Sequence, residues 1–206
     1  MDHEIEIDDD SPEALLEYFT AKGWGDGLPL VAPTEERVAA MLRAGAGEAA
    51  GGPDEVLAVL PPRGGEATRR AIAVNAVLAG CEPGVMPVLT TAIRALARPE
   101  VNLRGVNATT HPVAPLLIVH GEVVEQLGFN AGLGTFGPGN RSNATVGRAI
   151  RFALLHIAGA RPGAGDASTQ GQPSKYAYCI AENRAASPWE ERVQKYKRMQ
   201  RRLLLD

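Results

Sequence analysis

Glycine (23 residues) and proline (15) recur so often in this chain that few segments can continue far as one element. Glycine supplies turn conformations and proline removes a backbone donor, so both mark element ends. Aromatic residues make up only 5% while hydrophobic residues reach 45%, so the core has to be built from Ala, Val, Leu and Ile. The 206 residues suit one ordinary domain with at most a small appendage.

The punctuation divides the chain as follows. Ser11-Pro12-Glu13 is a helix start with a capping hydroxyl, a proline at the first helical position and an acid in the first turn. Leu15, Leu16 and Phe19 form its apolar side and Gly23 ends it. Thr34-Glu35-Glu36 opens a second helix carrying Val38, Met41 and Leu42, closed by Gly45 or Gly47. Glu55 to Leu60 predicts a strand stopped by Pro61-Pro62. Helices are then expected over Glu66 to Ala79 and Gly84 to Ala97. From Leu103 the chain turns β-like, over Gly105 to Thr109, Ala114 to His120 and Val123-Val124. A glycine-rich loop, Gly128 to Asn143, precedes a helix from Ala144 to Ala158, and Tyr176 to Ala181 predicts a last strand.

Helices grouped early and strands spread out predict an α+β fold rather than a regular βαβ series. The expectation is a single domain over 11–189, a mixed sheet of short strands packed with five or six helices. An acidic flexible N-terminus over 1–10 and a basic C-terminal helix over 190–206 would flank it. Eight acids and no Lys or Arg fall within residues 1–17, opposite in sign to the end of the chain, so the termini are candidates for homo- or hetero-oligomer contacts.

The net charge of −3 argues against a nucleic-acid-binding domain. No apolar run reaches the roughly 20 residues of a membrane span, and the acidic start is unlike a signal peptide. Two cysteines do not make a disulfide scaffold, which points to a reducing cytoplasm. Four scattered histidines and two cysteines lack metal-ligand spacing, and neither a Walker loop nor a dinucleotide fingerprint is present. No metal and no cofactor is therefore expected.

The stretch Gly134 to Arg148 is the richest in chemistry. A glycine loop feeding a helix start exposes backbone N–H groups to one point, a ready anion seat. Asn140, Ser142 and Asn143 are the polar residues of that start, Ser142 or Asn143 being the expected cap, and Arg141 would clamp a carboxylate or phosphate. Cys81 lies just ahead of a helix, where a thiolate is stabilised, although a free cysteine is more often buried and inert. His111, between hydroxyls and Pro112, could act as general base. His120 reads as a strand-end residue, His156 as a helix-face residue and Cys179 as a buried strand residue. Asp26 in its glycine frame, Arg63 and Asn75 complete the set of candidate binding residues.

Gly25-Asp26-Gly27-Leu28-Pro29, Leu60-Pro61-Pro62-Arg63-Gly64-Gly65, Ala79-Gly80-Cys81-Glu82-Pro83, Gly137 to Thr145, Lys175-Tyr176, Glu182-Asn183 and Ser187-Pro188-Trp189 resemble segments of a largely uncharacterised bacterial protein group associated with UGSC-type (seleno)proteins. The likeness spans about residues 20–190. The Sec/Cys-Gly-Ser-Cys motif of that group is absent, so selenol or dithiol chemistry does not carry over. The resemblance implies that Cys81 and the asparagine-rich loop share one site.

Two functions follow. The first is a small-molecule enzyme acting on an anionic metabolite, a lyase, hydrolase or thiol-linked redox enzyme, in which Cys81 and His111 do the chemistry. The second is a non-catalytic ligand-binding or assembly subunit, with Trp24, Phe136 and Trp189 as candidate contact residues.

Overall fold

A computed structural model describes residues 5, 7, 9–45 and 51–189 of the chain. Six of the ten residues of the acidic N-terminus and all of the basic C-terminal segment lie outside the described residues.

Helix α1 (Pro12–Lys22) is capped by the Ser11 hydroxyl and closed by Gly23 in the left-handed region. Thr34 caps α2 (Glu35–Ala44) in the same manner. Strand β1 (Val56–Leu60) then pairs antiparallel with β2 (Gly65–Thr68), with Leu60 opposite Gly65. The sequence assigned residues 66–68 to a helix. That helix, α3, covers only Arg69–Leu78, because the Thr68 hydroxyl caps it by accepting from Ala71 N–H. Helix α4 (Met86–Leu96) follows, with Pro87 in its first turn, where the missing donor costs nothing.

Two segments expected to be β-like are helical. Asn102, at φ 49°, caps the short α5 (Leu103–Asn107), and α6 covers Val123–Gln126. Between them β3 (Leu117–Val119) forms as expected. Helix α7 (Arg141–His156) begins three residues earlier than the sequence predicts, because Asn140 is its cap in place of Ser142 or Asn143. The last strand, β4 (Cys179–Ala181), pairs parallel with β3.

The architecture is α+β, with seven α-helices among the described residues and two separate two-stranded sheets instead of one mixed sheet. One continuous apolar cluster runs from Leu15 to Ala181. Its centre is α3, which packs on α2, α4 and α7. Phe152, Leu154, Met86, Leu89 and Ile93 are fully buried there, each contributing roughly 1.5–3 kcal/mol by leaving water.

Helix α7 also covers the β3–β4 pair. Its Gly147 lies so close to the second layer that a Cβ would stand 2.6 Å from Tyr178 N. Near the start of α7, the Asn143 carboxamide bonds both backbone groups of Asn130, whose carbonyl accepts Ala181 N–H. The N-terminal end of α7 therefore stands at the C-terminal end of β4.

Candidate active site at the strand ends

The parallel register sets Val119 beside Ala181, so the next residues, His120 and Glu182, leave their strands side by side. His120 Nδ1 lies 2.6 Å from Glu182 Oε2, and the two side chains are 21% and 25% exposed. Facing a carboxylate oxygen, Nδ1 is the donor of this bond, which leaves Nε2 as the second ring nitrogen. Among the described residues Nε2 has no hydrogen-bond partner, and the next residue, Gly121, has open space where a Cβ would be. A histidine oriented by a carboxylate with its distal nitrogen free is the arrangement of a general base. The sequence reads His120 as a strand-end residue and does not single out Glu182 as a site residue. The signal that joins them is that His120 ends one expected strand and Glu182 directly follows another.

The asparagine-rich start of α7 occupies the same end of the molecule. Its polar side chains hold the loop before it. Asn140 Oδ1 accepts Asn143 N–H while its Nδ2 donates to Gly128 O. Ser142 donates to Leu127 O at 2.6 Å. The buried Asn143 joins Asn130 and Thr135. Arg141 turns away from the helix axis and donates through Nε and Nη2 to Gly80 O and through Nη1 to Glu82 at 2.7 Å. Its guanidinium thus staples the start of α7 to the residues flanking Cys81.

Arg141 thus lies against the residues on either side of Cys81, but the thiol is not activated. Cys81 is 7% exposed, and burial pushes its pKa up to about 12. A hydrogen bond with Thr145 and the charges of Arg141 and Arg148 pull the other way and do not overcome the desolvation. The resting group at neutral pH is the thiol, which corrects the expectation of a dipole-stabilised thiolate. Cys179 is also buried, with its thiol likewise raised to about 12 by burial and then by Cys81.

The remaining candidates lie elsewhere. Asp26 is paired with Arg148 through two bonds of 2.8 Å, and Arg148 also donates to Leu28 O and Pro29 O and stacks on Phe152. Asn75 is buried in α3, donates to Ala71 O and accepts from His156 Nδ1 at 2.6 Å. Arg63 is exposed and lies over Gly159. His111 lines a surface cavity of about 290 Å³ with Thr110, Pro112, Thr169 and Gln170, and neither Cys81 nor Arg141 borders that cavity. The expected convergence of sulfur, imidazole and guanidinium therefore fails at His111. The histidine at the α7 N-terminal end is His120.

Among the described residues no group of three or more His, Cys, Asp or Glu side chains is arranged to hold a metal ion, and no helix is long and apolar enough to cross a membrane. No family model, no curated protein and no solved structure matches this chain.

Proposed function

We propose that this chain is a small-molecule enzyme that acts on an anionic metabolite by proton transfer, with His120 as the base and Glu182 as the residue that orients it. The observation that carries this reading is the 2.6 Å contact between Nδ1 and the carboxylate one residue past the last rung of a parallel strand pair, with Nε2 unpartnered among the described residues. The carboxyl ends of parallel strands are where open α/β sheets collect ligands. His120 Nε2 takes a proton from the substrate, and Glu182 stabilises the imidazolium that forms. The N-terminal end of the α7 dipole stands at this end of the strand pair. It favours a negatively charged substrate and the negative charge left after proton removal. Cys81 acts here as a buried neutral group beneath Arg141 and not as a nucleophile. Kinship with the UGSC-associated group is part of the same proposal, since the segments that carry the resemblance include Gly137 to Thr145 and Glu182-Asn183.

Pools of small carboxylates and phosphate esters incubated with the protein in D2O test this directly, because proton abstraction exchanges a substrate hydrogen with solvent. The expected result is deuterium incorporation or turnover of a component by the wild type, and its loss in His120→Asn. No change in any component, or equal change with His120→Asn, overturns the reading.

A second reading, an assembly or ligand-binding subunit, is favoured by a separate observation. Leu133 is fully exposed, and Phe136, which touches the Tyr178 ring, and Trp189 are 64% and 78% exposed. Trp24, in contrast, packs against Tyr18 and Phe19. Sizing the full chain beside Leu133→Ser/Phe136→Ser tests it: an oligomer that the double variant dissolves supports this reading, and a wild-type monomer removes it.

A further inference from the structure

We infer that Arg151 and Lys175, gathered around Asp166, form a binding site for a small oxyanion, a site that lies beyond the proposed proton-transfer centre and does not depend on it. Lys175 precedes β4 and Glu182 follows it, so the two sites stand toward opposite ends of that strand. Asp166 is only 3% exposed. Its Oδ1 accepts from Ser168 N at 3.0 Å and Ser168 Oγ at 2.6 Å. Its Oδ2 accepts from Arg151 Nη2 at 3.2 Å and Lys175 Nζ at 2.6 Å. The carboxylate is thus saturated by four donors.

One carboxylate cannot neutralise two cations, and no other acid among the described residues pairs with either. The Arg151 and Lys175 side chains are each 12% exposed, so water hydrates the surplus positive charge poorly. Arg151 uses Nη2 for both of its contacts, to Asp166 and to Ala160 O, which leaves Nε and Nη1 without an acceptor among the described residues. Lys175 Nζ has two further protons. Both cations reach one oxygen of Asp166, so they are close enough to share an oxygen of a second anion. Charge-assisted bonds from a guanidinium and an ammonium are the usual means of holding a carboxylate or phosphate-type group.

The test is a set of separate titrations of the full chain with inorganic phosphate, sulfate and acetate at low ionic strength. Binding is read by calorimetry and by the NMR signal of the Arg151 Nε–H. The expected result is saturable binding of one ion with a shift at Arg151. Lys175→Met should weaken it about tenfold, and Asp166→Asn, which removes the competing negative charge, should strengthen it about tenfold. Preference for phosphate and sulfate assigns a tetrahedral oxyanion, preference for acetate a carboxylate, and either supports the site. Absence of saturation by all three ions up to about 10 mM, or saturation without a shift at Arg151, overturns it whether or not the variants fold. Unchanged affinity in a folded Lys175→Met protein also overturns it.

Discussion

Arg148 and Asp26 meet across 122 residues of chain in a two-bond ion pair, Nε to Oδ2 and Nη2 to Oδ1, each 2.8 Å long. The pair ties the Gly25–Pro29 loop to the middle of α7 and leaves Asp26 only 5% and Arg148 only 15% exposed. Removing one partner of such a pair strands the other charge away from water. Asp26→Ala should therefore destabilise the protein by about 3 kcal/mol in urea unfolding. Asp26→Ala/Arg148→Met should recover much of that loss, since an apolar side chain replaces a stranded cation. A double variant as unstable as the single one would mean that the loop depends on Arg148 for its bonds to Leu28 O and Pro29 O.

Gly147 raises a contest between two effects of known size. Alanine in place of a helical glycine gains about 1 kcal/mol of intrinsic propensity. Here the new methyl would stand 2.6 Å from Tyr178 N, against backbone that cannot swing aside. Overpacking of this kind costs about 1–3 kcal/mol. Gly147→Ala should lower the melting temperature, and because α7 and β4 would separate, it should also disturb the His120–Glu182 contact. A more stable Gly147→Ala protein would show that the two layers have room to part.

Both cysteines should be slow toward electrophiles. Raising the Cys81 thiol from 9.0 to about 12 lowers its thiolate fraction at neutral pH about a thousandfold, and burial blocks access as well. Native protein mixed with N-ethylmaleimide at pH 7.5 should show almost no modification of Cys81 or Cys179, and full modification after unfolding. Cys81→Ser should leave any turnover found in the metabolite pools in place. Fast native alkylation of Cys81 would restore the thiol to the chemistry.

What the sequence reveals and conceals here follows the range of the forces involved. The starts of α1 and α2 are local events, a hydroxyl bonding an N–H three residues on, and Ser11 and Thr34 announce them. Strand β2 is concealed because Gly65–Thr68 runs directly into α3. Only pairing with β1 makes it extended, and Thr68 is the cap that Glu66 seemed to precede. The start of α5 had its signal in Asn102, a residue that tolerates the left-handed region and accepts Gly105 N–H. The contact of Arg141 with the residues on either side of Cys81 follows from no spacing rule. The His120–Glu182 contact joins residues 62 apart, and nothing short of the parallel register of β3 with β4 brings them together. Polar residues at the start of α7 were correctly seen as a cluster. Their partners, Leu127, Gly128 and Asn130, are loop backbone that no periodicity identifies.

The pH response of the fold should report on His156. Its ring stacks on Phe152 and its Nδ1 is committed to Asn75, while Nε2 is shielded from solvent. Burial, with the nearby charge of Arg161, pushes its pKa from 6.5 down to about 4, and the Trp24 carbonyl and Asp26 only partly offset this. A histidine depressed in the native state favours folding while it is neutral. The stabilisation is fully present above pH 6.5, where both states are neutral, and is lost as the pH falls toward 4, because the unfolded chain binds the proton first. The loss should amount to roughly 2–3 kcal/mol across that window, most of it above the range in which ordinary carboxylates titrate. Urea midpoints measured between pH 7 and 4.5 should decline in the wild type and decline much less in His156→Gln, which keeps a donor for Asn75 but has no charge to gain. Parallel declines in the two proteins would place the acid sensitivity in other groups and show that His156 protonates in the native state without cost.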